Sequence, residues 1–233
     1  MVYVVAEIGV NWDGDFEIAE EMIKNAKQVG CNAVKFQAFQ NELVKDHPEY
    51  HRLIKAAISP DNIERIDSIA KSVGIEWFCT PMYLEAIDFL ESYVKKFKIR
   101  FFDGKSLFEN KESEIIKRAI NTGKQVIIST QTSPKATKLY QNDNVSWLYC
   151  VPKYPCTFNE LDFRDIRDFD GFSNHCPHFL APLTAVILGA NIVEVHVTLD
   201  KSRNFIDNNV SFDYKELENL LNLIRLSEKI HVQ

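Results

Sequence analysis

The sequence predicts an α/β fold, a single (β/α)8 TIM barrel, on three observations. Short β-rich runs recur eight times along the chain, each followed by a stretch of helical periodicity. Eight such units in 233 residues match the arithmetic of a compact barrel. No Gly/Ser linker, low-complexity tract or composition break divides the sequence, so residues 1–233 read as one domain. A doubly wound open sheet is the competing fold. It would leave an edge strand and a G-x-G-x-x-G turn after the first strand, whereas the turn here is GVNWDGD at residues 9–15.

The first strand is YVVAEIG at 3–9, followed by FEIAEEMIKNAKQVG, which places Ile18, Met22, Ala26 and Val29 on one helical face and Gly30 at its stop. The second strand is AVKFQAF at 33–39. After it comes a long excursion, residues 41–62, which reads either as a lid over the active face or as a plain surface helix. Strands three to seven are EWFCTPM at 76–82, FKIRFF at 97–102, QVIIST at 125–130, SWLYCV at 146–151 and DGFSNH at 170–175. The eighth, NIVEVHVTLD at 191–200, alternates Val193, Val195, Val197 and Leu199 with Glu194, His196 and Thr198. A closing helix runs through DYKELENLLNLIRLSEKI.

A half-buried strand with a wet face would explain that alternation as well as a functional one. In a barrel the aliphatic face meets the helices and the polar face points into the interior, so function rather than water accounts for its polarity. Barrel active sites lie at the carboxyl ends of the strands. Period-two phasing sends Glu7, Lys35, Gln37, Thr80, Lys98, Arg100, Ser129, Ser173 and His175 inward there. Three cations, a carboxylate and two histidines at one mouth suggest an anionic substrate and a metal. His175 and His196, on neighbouring strands, are the candidate ligands of one divalent ion with open positions for water and substrate. Lys35 and Lys98 read as anion binders, with a Schiff-base nucleophile as the alternative.

Composition narrows the partners. A net charge of -6 and a pI near 5.6, with no block of Lys or Arg, exclude a phosphate-backbone or anionic-membrane footprint, so no nucleic acid and no membrane are expected. The longest apolar run, Phe179 to Val193, is broken by Pro182, Gly189 and Asn191 and is too short to span. No signal-peptide pattern opens the chain. Five cysteines without a C-x-x-C pair read as the reduced thiols of a cytoplasmic protein.

The motifs AEIGVNWDGD, AVKFQAF, WFCTPM, IIST, GFSNH and EVHVTLD, in this order and spacing, resemble those of the sialic acid synthase family, the phosphoenolpyruvate-dependent nonulosonate synthases. The resemblance spans about residues 3–225. It implies a barrel enzyme joining C3 of phosphoenolpyruvate to the aldehyde of an open-chain amino sugar. It implies a divalent metal, Mn2+ or Mg2+, on His175 and His196 to polarise that aldehyde, and Glu7 to handle the water that attacks C2. Lys35 and Lys98 with Thr80, Ser129 and Ser173 would then cradle carboxylate and phosphate, Asp207 would contact the sugar, and Tyr154 stands at the start of the family's Y-P-T-P motif.

The chain also departs from the pattern. Where the family has K-I-x-S-G this sequence has KIRFFDG, so Arg100, Phe101 and Phe102 replace small residues of the phosphate pocket, and Arg100 offers a bidentate partner for a relocated anion. S-T-G-M has become STQT, Y-P-T-P has become YPCT, S-D-H has become SNH, Trp12 replaces a histidine and Pro152 an asparagine. The family's C-terminal antifreeze-like domain is expected to be absent, which leaves a monomer or a homodimer formed through helices. The departures suggest a relative with a changed substrate or, as a different class, a carbohydrate- or anion-binding protein without turnover.

Overall fold

In the computed structural model, which describes residues 1–109, 111 and 113–230, the chain runs β1 (Tyr3–Gly9), α1 (Phe16–Val29), β2 (Ala33–Ala38), α2 (Asn41–Val44), α3 (Tyr50–Ala56), α4 (Ile63–Val73) and β3 (Glu76–Pro81). It continues through α5 (Leu84–Leu90), β4 (Lys96–Ile99), α6 (Phe101–Gly104), α7 (Glu114–Asn121), β5 (Gln125–Thr130), β6 (Val145–Cys150) and β7 (Gly171–Asn174). The last elements are α8 (Leu180–Ile187), β8 (Ile192–Thr198), β9 (Phe212–Asp213) and α9 (Tyr214–Ser227). Strands β1 to β8 pair in sequence order, all parallel, and β1 also pairs with β8, Glu7 opposite His196, so the sheet closes on itself. That closure removes the open-sheet alternative. Among the described residues no helix is long and apolar enough to cross a membrane.

Local chemistry explains the element ends. Asp15 caps α1 by accepting from the Glu17 and Ile18 amides, and Gly30 ends it at a φ of 97° that residues with a Cβ avoid. The buried stripe of α1 is Ala19, Met22, Ile23 and Ala26; Ile18 and Val29 flank it and are only half-buried. A reciprocal capping box, Asp213 with Glu216, starts α9. On β8, Val193, Val195 and Val197 are completely buried in the wall between sheet and helices.

Three expectations need correcting. The connections β5–β6 and β6–β7 carry only short 3-10 turns, because Pro134, the Asn142 to Asn144 turn residues, Pro152 and Pro155 break helical continuity. The fourth strand stops at Ile99 instead of running to Phe102: the Asp103 and Gly104 amides donate back to Arg100 O, and the chain turns into α6. Arg100 is therefore a turn residue, not the inward residue of a strand.

The 41–62 excursion forms α2 and α3 and is tied down. Trp12 is fully buried and its indole N–H donates to Ala56 O at 3.0 Å. Arg52 binds both Asp13 oxygens, at 3.0 and 2.9 Å, and Asn204 O at 2.6 Å, joining the loops after β1, β2 and β8.

Candidate active site

The carboxyl ends of the strands surround a cavity of about 230 Å³. Glu7, Lys35, Gln37, Thr80, Lys98, Arg100, Ser129, Tyr154, Ser173, His175 and His196, all singled out from the sequence, line it. Asp207, the remaining one, stands behind His196, its Oδ2 3.4 Å from the ring Nδ1. The phase of the strands accounts for most of this convergence, since alternate side chains of parallel strands share one interior, while Arg100, Tyr154 and His175 follow the ends of β4, β6 and β7. Gly9 sits at the rim with a φ of +54°; a Cβ there would lie 3.1 Å from Gln37 Nε2 and 3.2 Å from Glu7 Oε1.

The floor is a buried charge network. Lys35 Nζ lies 3.0 Å from Glu7 Oε1, 3.0 Å from Thr80 Oγ1 and 3.6 Å from Glu194 Oε1. Lys98 Nζ donates to Ser129 Oγ at 2.8 Å and lies 3.6 Å from the same Glu194 oxygen, to which Ser173 also donates at 2.9 Å. Gln37 Nε2 donates to Glu7 Oε1 at 2.7 Å. The floor is therefore not the cationic patch that the sequence suggested: Glu7 and Glu194 match its two ammonium charges, and Asp103 holds Arg100 Nε at 2.7 Å.

The electrostatics follow from burial and neighbours. Burial alone would lower Lys35, but Glu194 and Glu7 outweigh it and raise its pKa. Lys98 has one carboxylate partner and Lys35 as a cationic neighbour, so burial prevails and its pKa falls. Burial pushes Glu194 up, yet Lys35 and Lys98 together bring its carboxyl down to about 2. Glu194 is the residue that the sequence reading placed inward without giving it a role. The signal was present, since it shares a strand face with His196 at a spacing of two.

The two histidines meet as expected, their ring centres 5.4 Å apart. Burial takes the His175 pKa down to about 3, so the ring is neutral, and its Nδ1 lies 2.9 Å from Val151 O, a geometry that leaves Nε2 as the free acceptor. Burial would also lower His196, but the Asp207 carboxylate outweighs it and the net shift is upward. Tyr154 spans both rings: its own ring centre is 4.0 Å from that of His175 and its hydroxyl 3.4 Å from His196 Nε2.

The donor set fits an open divalent site. Val151 O holds His175 Nδ1, the kind of contact that orients metal-binding histidines, whereas His196 Nδ1 faces Asp207 Oδ2 at 3.4 Å without a hydrogen bond. Glu7 and Glu194 line the cavity, and the Oε2 of each is buried without a hydrogen-bonding partner among the described residues, so polar atoms are spare for a ligand. Those residues hold no cluster of three or more His, Cys, Asp or Glu suited to a closed metal cage, which leaves two imidazoles and open positions. All five thiols are buried; Cys150 lines the cavity with its Sγ 4.0 Å from His175 Nδ1, and burial raises its pKa to about 12.

Comparison with known proteins places this site in a lineage. The sequence profile of the NeuB family matches residues 22–233. The chain belongs to the NeuB family. Similar curated proteins include an uncharacterized protein of Methanocaldococcus jannaschii, 32% identical over 98% of this chain and 71% of its own length. The N,N'-diacetyllegionaminic acid synthase of Legionella pneumophila is 28% identical over 98% of this chain and 72% of its own. The N-acetylneuraminate-9-phosphate synthase of Mus musculus is 27% identical over 97% and 70%. Among solved structures, the N-acetylneuraminic acid synthetase of Leptospira borgpetersenii, in complex with citrate, superposes with a TM-score of 0.87 at 25% identity, over 100% of this chain and 86% of that one. NeuB relatives named as synthases support an enzyme here, in carbohydrate biosynthesis, and the same barrel carries the charged cavity.

Proposed function

We propose that the protein condenses phosphoenolpyruvate with the aldehyde of an open-chain amino sugar, releasing phosphate and giving a sialic-acid-like nonulosonic acid. The observation that carries this reading is the convergence of Glu7, Lys35, Lys98, His175 and His196 on one cavity in a NeuB family member. In the reaction C3 of the enol forms a bond to the aldehyde carbon, whose oxygen takes up a proton. Water adds at C2, and the bond from C2 to the phosphate oxygen breaks, leaving a 2-keto acid and inorganic phosphate.

A divalent cation, Mn2+ or Mg2+, held by His175 and His196 would supply Lewis-acid polarisation of the aldehyde. The chain's own groups do the rest. Glu7 keeps Oε2 free while Lys35 and Gln37 hold Oε1, so a fixed carboxylate is available to take a proton from the attacking water. Lys98, Ser129, Ser173 and Thr80 supply donors for the substrate carboxylate. Gln37 lines the side of the cavity where sugar hydroxyls would lie, Asp207 stands behind His196, and Tyr154 covers the imidazoles from water. A cytoplasmic location and assembly as a homodimer belong to the same reading.

The test is phosphate release from phosphoenolpyruvate with Mn2+ and a panel of acetamido sugars, with the acid product weighed by mass spectrometry. No phosphate release with any acceptor overturns the proposal. The lowered pKa of Lys98 favours one second reading, a Schiff-base aldolase or dehydratase, because a neutral amine is the nucleophile that chemistry needs. Borohydride reduction in the presence of pyruvate, leaving a covalent adduct on Lys98, would select it.

A further inference from the structure

We infer that Arg100, at the cavity rim, receives the phosphoryl group of the enol-acid substrate. The inference rests on the reading above and names the part of this chain that distinguishes it from the sequence pattern it resembles.

The charges of the floor are already matched. Lys35 is engaged by Thr80, Glu7 and Glu194, and Lys98 by Ser129 and Glu194. An acid carrying both a carboxylate and a phosphoryl group brings more negative charge than that balanced floor offsets.

Arg100 has donors to spare. Asp103 takes only Nε, at 2.7 Å, while Nη1 meets nothing better than the Met82 sulfur at 3.5 Å. Nη2 has no hydrogen-bonding partner among the described residues. A guanidinium held at Nε presents its two Nη groups as a planar fork, the geometry that matches phosphate oxygens.

The fork is aimed and held. Arg100 lines the cavity, and its guanidinium carbon is 5.9 Å from the Phe102 ring centre. The turn that carries it is locked onto the floor: a Cβ on Gly104 would fall 2.3 Å from Ser129 O, so this segment seats directly against the end of β5. Asp103 N and Gly104 N both donate to Arg100 O.

The wall beside Arg100 is apolar. Phe101 and Phe102 line the cavity at right-angle contact, 5.8 Å between ring centres, and neither offers a donor. A phosphoryl group on this side of the cavity therefore meets Arg100 or only apolar surface.

Calorimetric titration of the full chain without aldehyde tests this, with phosphoenolpyruvate, pyruvate and inorganic phosphate as separate probes. Arg100→Ala is expected to weaken phosphoenolpyruvate binding about 10- to 100-fold, the range of a charge-assisted hydrogen-bonded contact. Pyruvate, which has the carboxylate and no phosphoryl group, should bind as before and so also reports an intact cavity. Arg100→Lys should lose an intermediate amount, since it keeps the charge and not the fork.

Unchanged phosphoenolpyruvate affinity in Arg100→Ala overturns the inference and leaves the proposed reaction standing. Equal losses for phosphoenolpyruvate and pyruvate overturn it too, because Arg100 would then read the carboxylate or merely prop the wall. Arg100-dependent binding of inorganic phosphate without any binding of phosphoenolpyruvate supports the subsite and removes the proposed reaction. A wild-type protein that binds none of the three probes defeats both.

Discussion

Glu194 Oε1 lies 3.6 Å from Lys35 Nζ and 3.6 Å from Lys98 Nζ, so one buried carboxylate serves two buried ammonium groups. Ion pairs at such depth contribute little net stability, but removing one partner leaves a charge stranded. Lys35 keeps Glu7 as a second carboxylate; Lys98 has none. Glu194→Gln is expected to destabilise the fold by about 3 kcal/mol or more, read as a shift in the urea midpoint. Lys98→Met in the same chain should recover much of that loss, and purely additive effects in the double-mutant cycle would contradict the pairing.

The histidine pair makes a metal prediction. His175→Ala or His196→Ala should each abolish measurable Mn2+ binding in a calorimetric titration, because these are the two imidazoles that line the cavity among the described residues. Asp207→Asn acts through His196, and is expected to weaken the ion about 10- to 100-fold. Mn2+ affinity that survives both alanine substitutions would place the ion elsewhere.

Gly104 is the close-contact point that seats the rim turn against β5. Its missing side chain lets the turn reach within contact of Ser129 O, where a Cβ would sit at 2.3 Å. Gly104→Ala must push the turn outward, at a cost of about 1–3 kcal/mol in unfolding free energy. Because Arg100 rides on the same turn, its affinity for phosphoenolpyruvate should fall together with stability. Gly74→Ala, where nothing lies within 4 Å, should show only the cost of its φ of 72°.

The buried thiols set the alkaline limb of stability. Burial raises Cys31 from 9.0 to about 12, with Arg225 opposing. A group whose folded pKa is raised adds stability below the unfolded value and loses it as pH climbs through the folded one. The Cys31 contribution is thus complete below about pH 9 and declines from there toward 12. Cys31→Ala should flatten this part of a stability-against-pH curve measured by urea unfolding. An unchanged slope would show that other groups govern it.

Much of the fold was legible because two periods coexist in the sequence. The alternation of Val193, Val195 and Val197 with Glu194, His196 and Thr198 fixes both faces of β8 wherever the strand is placed. The same phase delivered Glu7, Lys35, Lys98, Ser129 and Ser173 to the interior, and all five line the cavity. Turn chemistry was less legible. KIRFF has the composition of a strand, and only the seating of Gly104 on Ser129 turns it into α6 after Ile99. The missing helices after β5 and β6 follow from proline and asparagine positions that the helical pattern obscured.

The sequence by itself determined the strand phases, the helix caps and the set of polar residues that face inward, because each depends on a neighbour a few positions away. The tertiary structure alone decided which charges cancel. Lys35 and Glu194 are separated by most of the chain, and no local rule brings them within 3.6 Å. Only closure of β1 against β8 places Glu7, Glu194 and both lysines in one low-dielectric space, where a carboxylate and an ammonium must pair. That pairing turns an apparent cationic patch into a neutral floor with Arg100 at its rim.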